Sequence, residues 1–318
     1  MIAGQILLGI ATLAFIARAL IGLWGQYRAQ PLHLELRWGY LALSSAAVLA
    51  GFGVLIQTWR RILATMGARL SYADAARIWF ASNLGKYVPG NVVQLGAMAY
   101  MARREQVSGM VASGSALLSA IVNLATGIVI ALALGHGALD RLGRNYGLFG
   151  MVLAGVAFLG LVLLPFVMPV LLAVAARVTH RSLGVSRVPA RAVIEAILGN
   201  LIAWGCYGLA LQLLAPALLG GRTFGGTAPY LAAYAAAYVA GYLVAWAPGG
   251  IGVRDGGIAA LLPVLVAGVT AADAIAIALA SRVVMTILEL VPGFIYLALS
   301  ARKRRREETE TLARHGPT

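Results

Sequence analysis

The sequence predicts an all-α polytopic integral membrane protein. Of its 318 residues, 61% are hydrophobic and 11% are charged, and the mean hydropathy is +0.85, so the chain is too apolar for an ordinary water-soluble domain. Pro-Gly breaks interrupt two apolar stretches, at Pro89-Gly90 and at Pro248-Gly249-Gly250. At membrane depth such a break is tolerated only where protein or a water-filled cavity surrounds it. Paired breaks therefore predict a transporter with a binding site between two repeats.

Apolar runs of about 20 residues are long enough to cross a bilayer as helices. Such runs occur near 2–24, 39–59, 109–135, 147–176, 191–218 and 271–300. The first run contains Arg18 and has no basic residue before it, so we expect a retained anchor and not a cleaved signal peptide. We predict six full transmembrane helices.

The regions 73–102 and 229–268 are also apolar, and each is split near its middle by one of the breaks. Each region can be two short crossings or one hairpin that enters the membrane and returns. We predict two re-entrant helical hairpins, broken at their Pro-Gly sequences.

Basic residues orient the chain. With re-entrant hairpins, the loops near 60–77, 103–104 and 177–191 and the tail after 301 share one face, which holds 16 of the 25 Lys and Arg residues. The positive-inside rule then places both termini in the cytoplasm. We expect the protein in the cytoplasmic (inner) membrane. If each split region crossed twice, the other loops would keep their sides, so charge does not decide between the two arrangements.

The predicted topology makes the two halves of the chain an inverted repeat. One transmembrane domain, 1–300, contains repeats at about 1–135 and 147–300, and a charged cytoplasmic tail follows at 301–318. The two breaks align with each other, and Trp79 aligns with Tyr238. The alternative is that Ala-, Gly- and Leu-rich membrane segments look alike by chance.

The residues around the breaks resemble the lysylphosphatidylglycerol synthase transmembrane-region family over nearly the whole chain. The resemblance is carried by Asn83-Leu84-Gly85-Lys86-Tyr87-Val88-Pro89-Gly90, by Ala247-Pro248-Gly249-Gly250-Ile251-Gly252-Val253-Arg254-Asp255-Gly256, and by Arg282 followed by Glu289. The second motif is the more specific one. Many relatives have Gly-Glu and an Arg after the first break, whereas here Ala97 follows Gly96, so the substrate stays open.

The resemblance implies a lipid-handling membrane domain, in the best understood members a flippase for an aminoacylated anionic phospholipid. After Ser300 only a short charged tail follows. We therefore expect this chain to lack the soluble aminoacyl-transferring domain of those fusion proteins.

Ionisable residues within apolar segments each cost about 2.5–3.5 kcal/mol on insertion scales unless they are paired or hydrated. Lys86 precedes the first break, and Arg254-Asp255 follow the second; with the free N–H groups of a broken helix, these cations suit a lipid phosphate. The predicted substrate-binding residues are Lys86, Tyr87, Asn91, Gln94, Asn123, Arg254, Asp255, Arg282 and Glu289. The alternative is a purely structural network.

Arg282 and Glu289 lie two turns apart on one stripe of the last span, about 10 Å along its axis. That separation is too large for an easy direct ion pair. We expect Asp255 to pair with Arg282, and Glu289 to pair with Arg254 or Lys86.

Aromatic residues recur every four positions before the second break, at Tyr230, Tyr234, Tyr238, Tyr242 and Trp246. Such a ladder can line an amphipathic path for a lipid, or it can pack against small Ala and Gly faces.

Motifs for catalysis are missing from the sequence. It contains no Gly-x-Ser-x-Gly elbow, no Walker loop and no metal-spaced His cluster, and the single Cys206 excludes an intramolecular disulfide. We therefore expect no enzyme activity, no cofactor and no metal. Nothing supports nucleic-acid binding.

Three functions remain. The first is a flippase-like transporter, passive or ion-coupled, that moves an anionic phospholipid or a lipid-linked sugar through a site at the two hairpins. The second is a non-transporting membrane partner that presents lipid to, or anchors, a separate synthase or glycosyltransferase. The third is a membrane-embedded transferase with Asp255 or Glu289 as its base. The expected partners are membrane lipids with an anionic headgroup, and an oligomer is compatible with each function.

Overall fold

The computed structural model describes residues 35–87, 92–142, 144–179, 189–244 and 248–315. Within these ranges the regular structure is helical, apart from one isolated bridge between Glu35 and Leu219. The predicted first span, 2–24, lies outside the described residues.

Nine α-helices make up the described part of the chain. They are α1 (Trp38–Thr65), α2 (Tyr72–Asn83), α3 (Val92–Arg104), α4 (Gly109–Leu142), α5 (Arg144–Thr179), α6 (Ala190–Leu218), α7 (Thr227–Leu243), α8 (Val253–Leu265) and α9 (Ala271–His315). Two short 3-10 turns, Leu84–Tyr87 and Pro248–Gly250, lie between α2 and α3 and between α7 and α8.

Five of these helices, α1, α4, α5, α6 and α9, are long and apolar enough to cross a membrane. They coincide with five of the six predicted spans, which confirms the all-α polytopic fold class. The last helix runs on to His315, so most of the predicted charged tail continues the helix.

The outer surface of the long helices is apolar. On α5, Phe149, Val156 and Phe166 are 66%, 61% and 72% exposed, whereas the polar Ser44 and Asn200 are fully buried elsewhere. Apolar side chains outside and polar side chains inside suit a lipid environment and not water.

Both split regions fold as helical hairpins. In the first hairpin, Arg77 on α2 forms an ion pair with Glu105 just after α3, and Gln94 donates a hydrogen bond to Asn83 near the tip. These pairs show that α2 and α3 run antiparallel. Pro89, Gly90 and Asn91 at the tip lie outside the described residues.

The second hairpin pairs α7 with α8 through small residues. A Cβ added to Gly257 would lie 2.9 Å from the Ala237 side chain, and one added to Gly241 would lie 3.3 Å from the Cα atom of Gly250. The two arms therefore approach backbone to backbone, which leaves no room for larger side chains at these positions.

The two halves of the chain meet along α1 and α6, which are antiparallel over their length. Ser44 Oγ donates to the Ala210 carbonyl at 2.8 Å near one end, and Arg61 pairs with Glu195 at 3.1 Å near the other.

Helix packing in one half has a counterpart in the other when α1 to α4 are exchanged with α6 to α9. The pair α1–α2 matches α6–α7, α2–α3 matches α7–α8, and α3–α4 matches α8–α9. Between the halves, α4–α7 matches α9–α2, and α4–α6 matches α9–α1. Such matched packing is expected of two related halves, and it supports the predicted repeat.

Candidate functional site

A cavity of about 240 Å³ lies between the two halves. Both hairpin tips contribute to its wall: Lys86 comes from the first 3-10 turn, and Gly249 and Gly250 come from the second. The long helices α1, α4, α6 and α9 and the hairpin arms α2, α3, α7 and α8 also contribute wall residues. The cavity thus forms where the paired breaks predict a binding site.

In the described part of the chain, three charged side chains reach the cavity wall. Lys86 forms an ion pair with Glu289 of α9, and Arg254 from the start of α8 lies beside them. Two cations and one anion leave the wall with a net formal charge of +1. Among the described residues, the cavity is therefore electrostatically suited to an anion.

A second ion pair lies directly behind the wall. Arg282 Nε is 3.2 Å from Asp255 Oδ2, and both residues are buried, with 5% and 6% exposure. The same guanidinium donates from Nη1 and Nη2 to the Gly249 carbonyl at 3.2 and 3.3 Å. Asp255 Oδ2 also accepts from the Gly252 backbone N–H at 3.1 Å. Arg282 and Asp255 together fix the backbone of the second break.

Arg254 is directed differently from Arg282. Its Nε is 3.9 Å from Asp255 Oδ1, a longer separation than that of the Asp255–Arg282 pair, and its guanidinium carbon lies 5.9 Å from the ring centroid of Tyr234 on the cavity wall. Arg254 is thus the cation that the second break presents to the cavity.

The second break depends on glycine. Gly249 and Gly250 have φ values of 59° and 67°, a left-handed conformation that other residues adopt at a cost of about 1–2 kcal/mol. This conformation turns the Gly249 carbonyl towards Arg282.

Aromatic rings form one side of the cavity. Tyr234, Tyr238 and Tyr242 stack along α7 with successive centroid distances of 6.3 Å, and Trp204 meets Tyr238 edge-on at 5.2 Å. These four rings belong to the wall, and Trp204 and Tyr234 also pack in the buried core. Tyr230 is instead fully buried in the core, and Trp246 lies outside the described residues.

Side-chain amides form another part of the wall. Gln94 donates to Asn83, and Asn123 Nδ2 donates to Asn200 Oδ1 at 2.8 Å. All four residues line the cavity. The Asn123–Asn200 bond joins α4 to α6, so Asn123 both connects helices and forms part of the wall.

A comparison with protein-family models decides the family. The model of the lysylphosphatidylglycerol synthase TM region matches residues 3–293. The chain belongs to this family. No curated protein and no solved structure matched the chain in the corresponding comparisons. Membership indicates a membrane protein related to lipid handling.

In this member of the lysylphosphatidylglycerol synthase TM-region family, the predicted site residues divide into three groups. Lys86, Gln94, Asn123, Arg254 and Glu289 line the cavity. Asp255 and Arg282 lie behind it, with the ion pair expected from the sequence. The side chain of Tyr87 and the whole of Asn91 lie outside what the structure describes.

Sequence reasoning missed several wall residues of this family member. They are Asn83, Trp59, Trp79, Trp204 and Tyr207. Two signals were present: Asn83 belongs to the same motif as Lys86, and Trp79 aligns with Tyr238, which faces the same cavity. Trp59 and Trp204 gave no such signal because their place depends on how α1 and α6 pack.

Proposed function

We propose that this protein is a flippase-like lipid transporter that moves an anionic phospholipid or a lipid-linked sugar across the inner membrane. The observation that carries the proposal is the cavity between the two halves, which both hairpin tips line and whose wall has a net positive charge. In this proposal the hairpins are re-entrant, both termini are cytoplasmic, and headgroup binding at the breaks accompanies the movement of the two halves.

The size of the cavity matches a headgroup and not a whole lipid. A volume of about 240 Å³ lies just below the roughly 300–1,000 Å³ of pockets that hold drug-sized ligands. Acyl chains have to remain outside. Leu117 and Tyr242 belong to the wall, and both are exposed, at 51% and 38%. The cavity therefore reaches the apolar exterior, where acyl chains can stay in lipid while the headgroup is inside.

Arg254 is the best placed phosphate ligand. It lines the cavity, whereas Arg282 is held behind the wall by Asp255 and the Gly249 carbonyl. A guanidinium can donate two parallel hydrogen bonds to a phosphate. The stacked tyrosines offer apolar faces beside it, which suits a group passing between lipid and a polar site.

The test is a transbilayer-movement assay in proteoliposomes. Phosphatidylglycerol labelled with a fluorophore on its acyl chain is the probe, and dithionite quenches the label in the outer leaflet. We expect the wild type to accelerate movement and Arg254→Gln to slow it about 10- to 100-fold, because a hydrogen bond to a charged group contributes about 1.5–3 kcal/mol.

Arg61→Gln is the matched control because Arg61 is 58% exposed and pairs with Glu195 away from the cavity wall. We expect its rate to equal that of the wild type. If several anionic lipids bind but do not move across the bilayer, the result would favour the alternative function. The protein would then be a membrane partner that presents lipid to a synthase or glycosyltransferase. The absence of both movement and binding would refute a lipid site at this cavity.

A further inference from the structure

We propose that Glu289 determines headgroup specificity. In the absence of lipid its carboxylate pairs with the Lys86 ammonium, and its negative charge limits the cavity to headgroups with one negative charge. This inference rests on the proposed function, since it concerns the same cavity. It assigns to Glu289 the role of a competing anion and not that of a ligand for the headgroup.

The first observation is where the Lys86–Glu289 pair lies. Lys86 belongs to the 3-10 turn at the tip of the first hairpin, and Glu289 belongs to α9 of the second half. Both residues line the cavity, with 25% and 10% of their side chains exposed. The pair is therefore open to a ligand, and a phosphate that enters can replace the Glu289 carboxylate at the Lys86 ammonium.

The second observation is the charge count. Within the described ranges, Lys86, Arg254 and Glu289 give the wall a net charge of +1, and the Asp255–Arg282 pair behind it adds no net charge. A headgroup with a single negative charge makes the whole assembly neutral. Unbalanced charge is expensive at low dielectric constant, so a doubly charged headgroup is disfavoured while Glu289 is present.

If Glu289 competes with the headgroup, replacing it changes lipid affinity in a direction that the other roles do not predict. Replacing Glu289 by glutamine raises the wall charge to +2 and removes the anion that competes for Lys86. Binding of anionic lipids should become tighter, most of all for a dianion. If Glu289 instead bound a positively charged part of the headgroup, or only held the fold, the same change would weaken binding or leave preferences unaltered.

The experiment compares two short-chain lipids on the purified full-length protein. Phosphatidylglycerol carries one negative charge, and phosphatidic acid carries nearly two at pH about 8 because it is a phosphate monoester. Trp59, Trp79 and Trp204 line the cavity, so bromine-labelled versions of both lipids should report binding by quenching tryptophan fluorescence. The measured quantity is the ratio of the two affinities.

We expect Glu289→Gln to tighten phosphatidic acid binding at least about tenfold, because the higher net charge of the wall acts on the phosphate at close range. The ratio of phosphatidic acid affinity to phosphatidylglycerol affinity should rise about fivefold or more. The double variant Lys86→Gln/Glu289→Gln restores a wall charge of +1 and should restore the wild-type ratio. Glu195→Gln is the matched control: this helix-borne glutamate also forms an ion pair with a basic residue, Arg61, but outside the cavity.

An unchanged ratio in Glu289→Gln, or weaker binding of both lipids, would overturn the inference. If that variant does not fold, Lys86→Gln carries the test, because its wall charge of zero should weaken both lipids and phosphatidic acid more. Wild-type protein that binds neither lipid would refute the proposed function itself. Wild-type protein that binds phosphatidylglycerol, with a ratio independent of wall charge, would refute only the role of Glu289.

Discussion

Arg282→Gln should destabilise the protein, whereas Arg254→Gln should mainly impair lipid binding. Arg282 donates to the Gly249 carbonyl and pairs with Asp255 in a buried site. Removing one partner of a buried ion pair costs about 3–5 kcal/mol, because the remaining charge stays buried without compensation. Arg254 is farther from Asp255, at 3.9 Å, so its loss leaves the Asp255–Arg282 pair intact.

The expected shift in melting temperature follows from chain length. An unfolding entropy of about 2.1 cal/mol/K per residue over 318 residues gives roughly 0.7 kcal/mol/K. A loss of 3–5 kcal/mol then lowers Tm by about 4–8 °C.

The assay is thermal unfolding of both variants in one detergent, followed by size-exclusion chromatography of the fraction that remains folded. Asp255→Asn should give a loss similar to that of Arg282→Gln, since it breaks the same pair from the other side. The reasoning is wrong if Arg282→Gln melts within 1 °C or so of the wild type, or if Arg254→Gln is destabilised as strongly.

Two further variants test the backbone and the aromatic wall. Gly249→Ala should lower the free energy of unfolding by about 1–2 kcal/mol and Tm by about 1.5–3 °C, because the φ of Gly249 is 59°. The control is Gly256→Ala in α8, where an added Cβ meets nothing within 4 Å, and it should melt no lower than the wild type. Equal melting of the two variants would contradict the strain argument. Tyr238→Leu removes a ring that contacts Tyr234 and Trp204, and it should slow lipid movement several-fold in the dithionite assay, since an aromatic pair contributes about 0.5–1.5 kcal/mol; an unaltered rate would assign the ladder to packing alone.

Much of the site could be predicted because membranes penalise unpaired charge and broken backbone. That penalty linked the two Pro-Gly breaks to one binding site, and it linked Asp255 to Arg282 before any geometry was known. For Glu289 it left two partners, Arg254 and Lys86, of which the structure has Lys86.

The different roles of Arg254, in the cavity wall, and Arg282, behind it, could not be predicted. They depend on where the Gly249 carbonyl points, and that direction follows from a left-handed φ. Trp59 and Trp204 escaped prediction for a related reason. Their indole N–H groups donate to Ser115 and Thr126 on α4, and the register of α4 against α1 and α6 is a property of the packed helices.

The packing of the two halves is matched, but it is not identical. Helix α4 contacts both arms of the second hairpin, α7 and α8, whereas α9 contacts α2 and the 3-10 turn of the first hairpin. Under the proposed transport function, such a difference would separate two states of an inverted-repeat scaffold, in which each half adopts the arrangement of the other in turn. An exchange would loosen the second hairpin from α4 and tighten the first against α9. The Lys86–Glu289 pair joins that first hairpin to α9, so a headgroup that displaced Glu289, as proposed above, would act on the contact that the exchange has to rearrange.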